Sequence, residues 1–232
     1  LKHLASKLKK YEKRTINEVD GIAAISFEDT QRFIDLKCKV PMITIPFGID
    51  LENYPLTKNK FNKTVTLFHL GAMNWSPNLE AVNWFLDQMW DKIADLPVKL
   101  HLGGREMPDS LRKLDSAQIK IHATVENAVD FMSQYNVMIV PLLSGSGMRV
   151  KIIEGMALGR IVITTTVGAE GIECEDGKNI LIANSPDQFY DHVKKIIDDS
   201  EFAKSISINA RKLVEEKYNN TQIIQQLLGF YN

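Results

Sequence analysis

The sequence predicts an α/β protein whose parallel sheet carries helices on both faces. Short apolar runs alternate along the chain with amphipathic stretches of helical period. One run, residues 137–142, is apolar throughout, which is typical of a central strand covered on both faces. Strand–helix–strand repetition builds a parallel sheet, and such sheets bind ligands at the carboxyl ends of their strands.

The predicted strands are short apolar runs that end at glycines or polar turns. They cover residues 21–26, 42–45, 65–70, 98–102, 119–122, 137–142, 161–164 and 180–183. The predicted helices are the amphipathic stretches between and after these runs. They cover residues 2–18, 28–36, 78–94, 109–114, 127–134, 150–158, 186–198, 201–217 and 221–230. In the helix 78–94, apolar side chains recur at spacings of three and four, and Asn78 is the predicted N-cap.

The chain divides into four predicted parts. Residues 1–47 hold two strands, which do not make a stable parallel sheet alone, so they are predicted to be the remnant of a second α/β domain. The polar, basic composition of 55–63 predicts a linker over residues 48–63. Residues 64–218 form the predicted main domain, and residues 219–232 a C-terminal helix. The first residue is Leu, which indicates a fragment or a processed chain.

Charge and cysteine content exclude several classes of protein. Lys and Arg total 28 against 29 Asp and Glu, a net charge of −1, whereas a nucleic-acid groove needs a positive excess. No apolar run approaches the ~20 residues of a membrane span, and no secretory signal opens the chain. Cys38 and Cys174 cannot build a disulfide scaffold or a four-thiolate zinc site. No other grouping has metal-ligand spacing, so we expect no metal and a reducing, cytoplasmic setting.

The loop and helix start after the predicted central strand carry the most chemistry. Gly145 and Gly147 leave room for a ligand near the backbone. A helix start favours an anion, and Arg149 and Lys151 add two cations within one turn. Glu154, three residues later, can accept hydrogen bonds from hydroxyls. The pattern suits a phosphorylated, hydroxyl-bearing ligand, and a solvated helix terminus with an intrahelical Lys–Glu pair explains the spacing equally well.

Two familiar nucleotide motifs are absent from the sequence. A Walker loop ends Gly-Lys-Ser/Thr, whereas this loop continues Gly-Met-Arg. The dinucleotide glycine fingerprint follows neither residue 70 nor residue 142. These absences argue against an ATPase and against a dehydrogenase.

Four segments of the chain together form a recognisable series. They are P-F-G-I-D at 46–50, L-G-A-M-N-W-S-P-N-L-E-A-V-N-W-F at 70–85, G-S-G-M-R-V-K-I-I-E-G-M-A-L-G-R-I-V-I-T-T at 145–165 and G-A-E-G-I at 168–172. In their order and spacing they resemble segments of the group 1 glycosyltransferases (glycosyltransferase family four), which have the GT-B fold. The resemblance implies a Rossmann-like C-terminal, donor-binding half of such an enzyme. The end of the N-terminal, acceptor-binding domain would precede it, and the last helix would cross back towards that domain.

The resemblance implies a nucleotide-sugar donor at the carboxyl edge of the sheet. The implied donor contacts come from Gly71, Val125, Gly145, Ser146, Gly147, Arg149, Lys151, Glu154 and Glu170. The family carries two glutamates separated by seven residues, and Glu154 matches the second. In the family, this second glutamate contacts the ribose of the nucleotide. Val125 lies in a loop whose backbone contacts the base in relatives. Glu170 follows the signature strand, and a plain loop carboxylate is an equally good interpretation of it.

Two positions depart from the family pattern. Ser146 stands where the first glutamate contacts the transferred sugar. Many relatives carry an Arg and a Lys on the diphosphate after the equivalent of Gly71, whereas residues 72–78 contain no cation. We expect Arg149 and Lys151 to take over that catalytic role by stabilising the leaving diphosphate, with Arg105 as a weaker candidate.

The resemblance implies a retaining glycosyltransferase that needs no cofactor and serves polysaccharide or glycoconjugate synthesis. Acceptor contacts would come mostly from the missing half, so we expect this chain alone to bind nucleotide but to transfer no sugar. A GT-B sugar-nucleotide epimerase and a non-catalytic α/β binding module remain open as alternatives.

Several other residues have a structural interpretation. Trp75 is predicted to pack on the following helix rather than on a ligand. His69 and His101 lie within strands and are predicted to be structural. The basic stretch 7–14 could touch an acidic membrane surface at the periphery, although a solvated helix face is the favoured interpretation.

Overall fold

A computed structural model describes residues 2–57, 59 and 64–232. Its strands are β1 (Ile22–Ala24), β2 (Met42–Thr44), β3 (Val65–Leu70), β4 (Val98–Gly103), β5 (Ile119–His122), β6 (Val137–Val140), β7 (Ile161–Thr164) and β8 (Leu181–Ile182). Its α-helices are α1 (Lys2–Thr15), α2 (Phe27–Asp35), α3 (Ser76–Phe85), α4 (Asp91–Ile93), α5 (Asp109–Arg112), α6 (Ala128–Ser133), α7 (Val150–Ala157), α8 (Pro186–Asp198), α9 (Ser200–Lys217) and α10 (Asn220–Tyr231).

The main sheet has six parallel strands in the order β5-β4-β3-β6-β7-β8. This Rossmann-like arrangement confirms the predicted α/β fold. Side chains of β6 alternate between two cores, since Ile139 joins one and Met138 and Val140 join the other. Helices α3 and α8 cover the first core, and α7 covers the second. Because both faces are covered, the strands read as continuous apolar runs.

The strand order reverses between β3 and β6, which are neighbours in the sheet. The chain moves outward from β3 to β5 and returns to β6 on the other side. Open parallel sheets have a crevice at the carboxyl ends of the two strands at such a switch point. The loop after Leu70 and the loop after Val140 therefore flank this crevice.

The start of α3 corrects the predicted N-cap. The helix begins at Ser76, Pro77 lies in its first turn, and Trp75 is the N-cap residue without a side-chain hydrogen bond. Proline favours the first helical turn, because its missing N–H would lack a helical partner there. Asn78 is therefore inside the helix, and its side chain is buried. The predicted helix 78–94 is also divided, because a π-helical turn over Leu86–Trp90 separates α3 from α4.

The N-terminal part forms its own two-stranded parallel sheet from β1 and β2. Helix α10 reaches back to this part, since Phe230 Cζ lies 2.8 Å from the position that a Cβ on Gly21 would occupy. A parallel bridge joins Ile49 to Asn219 beside the start of that helix. The chain end thus contacts residues before the main sheet, and the presence of a further preceding domain stays a prediction.

The predicted linker 48–63 is fixed to the main domain wherever the structure describes it. Residues 58 and 60–63 lie outside the described residues. Arg160, which is 1% exposed, donates from Nη2 to Thr57 O at 2.7 Å and from Nη1 to Tyr135 O at 2.7 Å. Asn59 Nδ2 donates to Asn136 O and to Gly159 O at 3.1 Å each. Long-range hydrogen bonds thus attach part of the predicted linker to the main domain.

Candidate functional site

Lys151 lies in the crevice between β3 and β6. Its Nζ donates to Asn78 Oδ1 at 2.8 Å and to Leu70 O at 3.3 Å. Burial, together with the nearby Arg149 charge, lowers the pKa of Lys151 to about 7. The predicted intrahelical pair with Glu154 is absent from the described ion pairs, because the ammonium reaches across the crevice instead. A cation therefore lies where a ligand of this fold is expected.

Asn78 connects Lys151 to the loop after β3. Its Nδ2 donates to Ala72 O at 3.0 Å, while its Oδ1 accepts from Lys151. A Cβ on Gly71 would lie 2.6 Å from Asn78 Nδ2, so only glycine lets the amide approach this closely. Gly71 is thus placed at the crevice as predicted, and it makes room for a neighbouring side chain.

Arg149 is turned inward, and 6% of its surface is exposed. Its Nη1 donates to Ser146 O at 2.6 Å and to Gly147 O. Its Nε and Nη2 are buried and have no hydrogen-bond partner among the described residues. Burial lowers the pKa of Arg149, and the Glu170 charge acts in the opposite direction. Buried N–H donors are normally hydrogen-bonded, and a bound anion would supply acceptors for these two nitrogens of Arg149.

The loop before Arg149 needs its glycines. Gly145 and Gly147 have φ values of +118° and +84°, which L side chains rarely adopt. A Cβ on Gly145 would lie 2.8 Å from Arg149 Nη2, whereas open space surrounds Gly147. Ser146 is exposed between them, and its carbonyl accepts from Arg149. The loop is therefore shaped around the guanidinium.

Glu154 lies one turn after Lys151 on α7 and faces a different partner. Its Oε1 accepts a hydrogen bond from Tyr54 Oη at 2.6 Å. Lys151 and Glu154 therefore make separate contacts, one towards α3 and one towards the segment before β3. The contact with Tyr54 links residues 100 positions apart, so local spacing gives no signal for it.

Glu170 and Val125 lie on opposite sides of the crevice. Glu170 is near the Arg149 charge, and its Oε1 is 3.8 Å from Nη2 of the exposed Arg32. Val125 Cγ2 is 3.0 Å from the position that a Cβ on Gly103 would occupy, at the end of β4. Val125 also lines a cavity of about 330 Å³ with His122 and neighbouring residues. The structure thus gathers Gly71, Arg149, Lys151 and Glu170 around the crevice and places Val125 beyond β4.

Two aromatic side chains near the crevice have defined roles. Trp75 is 41% exposed, and its ring lies 5.7 Å from Arg149 Cζ. Its Cη2 lies 3.6 Å from the position that a Cβ on Gly145 would occupy, so the ring contacts the 145–149 loop, and packing on the following helix stays a prediction. His69 is fully buried, and Nδ1 donates to Ile139 O at 2.9 Å. Burial and the Lys151 charge lower the pKa of His69 to about 3, so it stays neutral.

Neither a membrane helix nor a metal cluster is found in residues 2–57, 59 and 64–232. No helix there is long and apolar enough to span a bilayer. No group of three or more His, Cys, Asp or Glu side chains there could hold a metal ion.

Comparison with known proteins gives the family. The model of the family "Glycosyl transferases group 1" matches residues 64–199. The chain belongs to this family. An uncharacterized 44.6 kDa protein in the cps region of Klebsiella pneumoniae is 22% identical over 232 residues, which cover 94% of this chain and 58% of that protein. This group 1 glycosyltransferase chain thus spans 58% of the length of that relative.

Solved glycosyltransferases share the fold of this chain. Anabaena Alr3699/HepE in complex with UDP and glucose superimposes with a TM-score of 0.75 at 15% identity, over 99% of this chain and 68% of that one. Staphylococcus aureus TarM superimposes with a TM-score of 0.75 at 18% identity, over 97% of this chain and 46% of TarM. Sucrose-phosphate synthase from Thermosynechococcus elongatus superimposes with a TM-score of 0.74 at 16% identity, over 97% of this chain and 61% of the synthase. The Rossmann-like fold of this chain therefore matches part of the GT-B fold of these glycosyltransferases.

Proposed function

We propose that this chain is the donor-binding half of a retaining glycosyltransferase and holds a nucleoside diphosphate sugar in the crevice between β3 and β6. The observation that carries the proposal is the position of Lys151. Its ammonium lies between the carboxyl end of β3 and Asn78, two residues after a buried guanidinium that has two donors without a partner in the described part of the chain. A diphosphate at this position would satisfy both cations.

In the proposed mechanism, electrostatic stabilisation of the leaving group lowers the barrier to sugar transfer. Negative charge grows on the diphosphate as the bond between the sugar and the β-phosphate oxygen breaks. Lys151 and the free donors of Arg149 stabilise that charge, and Asn78 keeps the Lys151 ammonium in place. Oε2 of Glu154 accepts a hydrogen bond from a ribose hydroxyl and so positions the nucleotide with its diphosphate at Lys151 and Arg149.

The transferred sugar, the acceptor and the pathway depend on features other than the two cations. Ser146 offers a hydroxyl rather than a carboxylate to the transferred sugar, so sugar selection rests on other groups. In this proposal, acceptor contacts come mostly from the other half of the enzyme. Support for a role in polysaccharide or glycoconjugate synthesis comes from the cps-region relative, and support for a UDP donor comes from the complexes of Alr3699/HepE.

Calorimetric titration of the chain with UDP, GDP and ADP tests the proposal. We expect at least one of the three to bind in the micromolar to low millimolar range, and we expect no sugar transfer by the chain alone. If none binds at millimolar concentration, the chain is a binding module without a donor site and the proposal fails. Transfer of sugar by the chain alone would contradict the proposal that acceptor contacts come from the other half of the enzyme.

The affinity for UDP should fall as the pH rises above 7. The free protein loses the Lys151 proton around its pKa of about 7, whereas a bound diphosphate holds that proton on the ammonium. Binding above pH 7 therefore takes up a proton, and affinity falls by up to about tenfold per pH unit. Titrations between pH 7.5 and 9.5 avoid the phosphate ionisation near pH ~6. A flat profile over this range would contradict a role for Lys151 at the diphosphate.

A further inference from the structure

Tyr54 makes a direct contact with the proposed ribose-binding carboxylate. Its Oη donates to Glu154 Oε1 at 2.6 Å, from a segment 100 residues earlier in the chain. A carboxylate has two oxygens with about four acceptor sites, so this bond leaves Oε2 free for a ligand hydroxyl. Tyr54 can therefore hold Glu154 while a ligand is bound.

The segment that carries Tyr54 is fixed on both sides of it. Before Tyr54, the Ile49 N–H donates to Tyr218 O at 2.8 Å, and the Asn220 N–H donates to Ile49 O at 3.0 Å. Tyr54 O itself accepts from Arg211 Nη1 at 2.7 Å. The same guanidinium nitrogen donates to Ala157 O at the end of α7, at 2.6 Å. Residues 49–57, the strap, therefore have a fixed position relative to the helix that carries Glu154.

The phenol group is suited to be a permanent donor. Its ring packs against the core on the α7 side of the sheet. Burial and the neighbouring Glu154 carboxylate raise the pKa of Tyr54 well above its usual value. The phenol therefore keeps its proton across the physiological pH range and remains a hydrogen-bond donor to Glu154.

We propose that Tyr54 is a positioning residue for Glu154, and that the strap is thereby part of the donor site. The inference rests on the proposed function, in which Glu154 binds the ribose. Tyr54 removes rotamers that the glutamate side chain would otherwise adopt, so the ribose meets a pre-oriented acceptor. By reciprocity, a nucleotide on Glu154 stabilises the docked strap.

Titration of two probes separates positioning from a general structural role. UDP carries a ribose and inorganic pyrophosphate does not, so only UDP affinity depends on the orientation of Glu154. Tyr54→Phe keeps the ring and removes the donor, and we expect it to weaken UDP about fivefold while pyrophosphate affinity stays within twofold. Tyr190→Phe, on a partly buried tyrosine of α8, is the matched control and should change neither affinity.

A double mutant completes the test. In a Glu154→Ala background, Tyr54→Phe should have no further effect on UDP affinity, because its target is gone. Hydrogen exchange of residues 49–57 should slow when UDP binds the wild-type chain and change less in Tyr54→Phe.

The possible failures are distinguishable. If Glu154→Ala weakens UDP but Tyr54→Phe does not, Tyr54 is not a positioning residue and the donor site stands. Equal loss of UDP and pyrophosphate affinity in Tyr54→Phe also overturns the inference. If wild-type protein binds none of UDP, GDP and ADP, the proposed function fails and the inference fails with it.

Discussion

Replacing Lys151 by Met should weaken UDP binding roughly 30- to 100-fold, which corresponds to about 2–3 kcal/mol for a charge-assisted contact in a desolvated site. Methionine keeps the length of the side chain and removes the charge that faces the diphosphate. The effect is large because residues 72–78 carry no cation that could replace Lys151. Calorimetric titration of both proteins at pH 7 measures it.

The same variant should fold at least as well as the wild type. Burial lowers the pKa of Lys151 to about 7, so its charged form is costly in the folded state, and removing the charge offsets the loss of the hydrogen bonds to Asn78 and Leu70. Thermal melts should therefore show an unchanged or higher midpoint. Lys194→Met, at an exposed cation of α8, gives the same change in net charge and should leave UDP affinity unchanged. Equal losses in the two variants would show a general charge effect and refute the assignment.

Replacing Arg160 by Met should destabilise the chain by about 3–5 kcal/mol, because several buried carbonyl groups lose their hydrogen-bond donor at once. The guanidinium is buried and donates to carbonyls of Leu158, Tyr135 and Thr57. These carbonyls would lose a partner in a place without water, and the segment around Thr57 would lose its attachment. Urea unfolding of both proteins gives the difference in free energy.

A surface arginine provides the comparison for that measurement. Arg105→Met changes an exposed residue and should shift the unfolding free energy by less than about 0.5 kcal/mol. A similarly small shift for Arg160→Met would mean that its carbonyl partners find other donors, and that the segment before β3 is held by other contacts.

The predicted bounds are exact for three strands and for the helix 186–198, whereas most other helix ends differ by one residue or more. The strands 65–70, 119–122 and 161–164 have the predicted bounds, because an apolar run between polar turns is a local signal. The start of α3 differs from the prediction, although Pro77 is a local signal for a helix that begins at Ser76. The N-cap preference of asparagine favours Asn78, whose side chain instead bonds to Ala72 O and Lys151.

The sequence also predicts which cations lie near the crevice, but not what they contact. Arg149 and Lys151 follow from their position after the central strand. The partners Asn78 of Lys151 and Tyr54 of Glu154 lie 73 and 100 residues away in the chain, and polar pairs of this kind leave no periodic pattern. The hydrogen bond from Arg160 to Thr57 O, which joins residues 103 positions apart, likewise leaves no pattern in the sequence. Such contacts are decided by how elements pack, so a single sequence does not reveal them.

In the proposed function, Lys151 binds the diphosphate of the donor at the switch point between β3 and β6. A crystal structure of the chain with UDP would show this contact. We expect Lys151 Nζ within about 3 Å of a diphosphate oxygen, with a ribose hydroxyl on Glu154. Well-defined UDP elsewhere on the protein, with Lys151 still bonded only to Asn78 and Leu70, would contradict it.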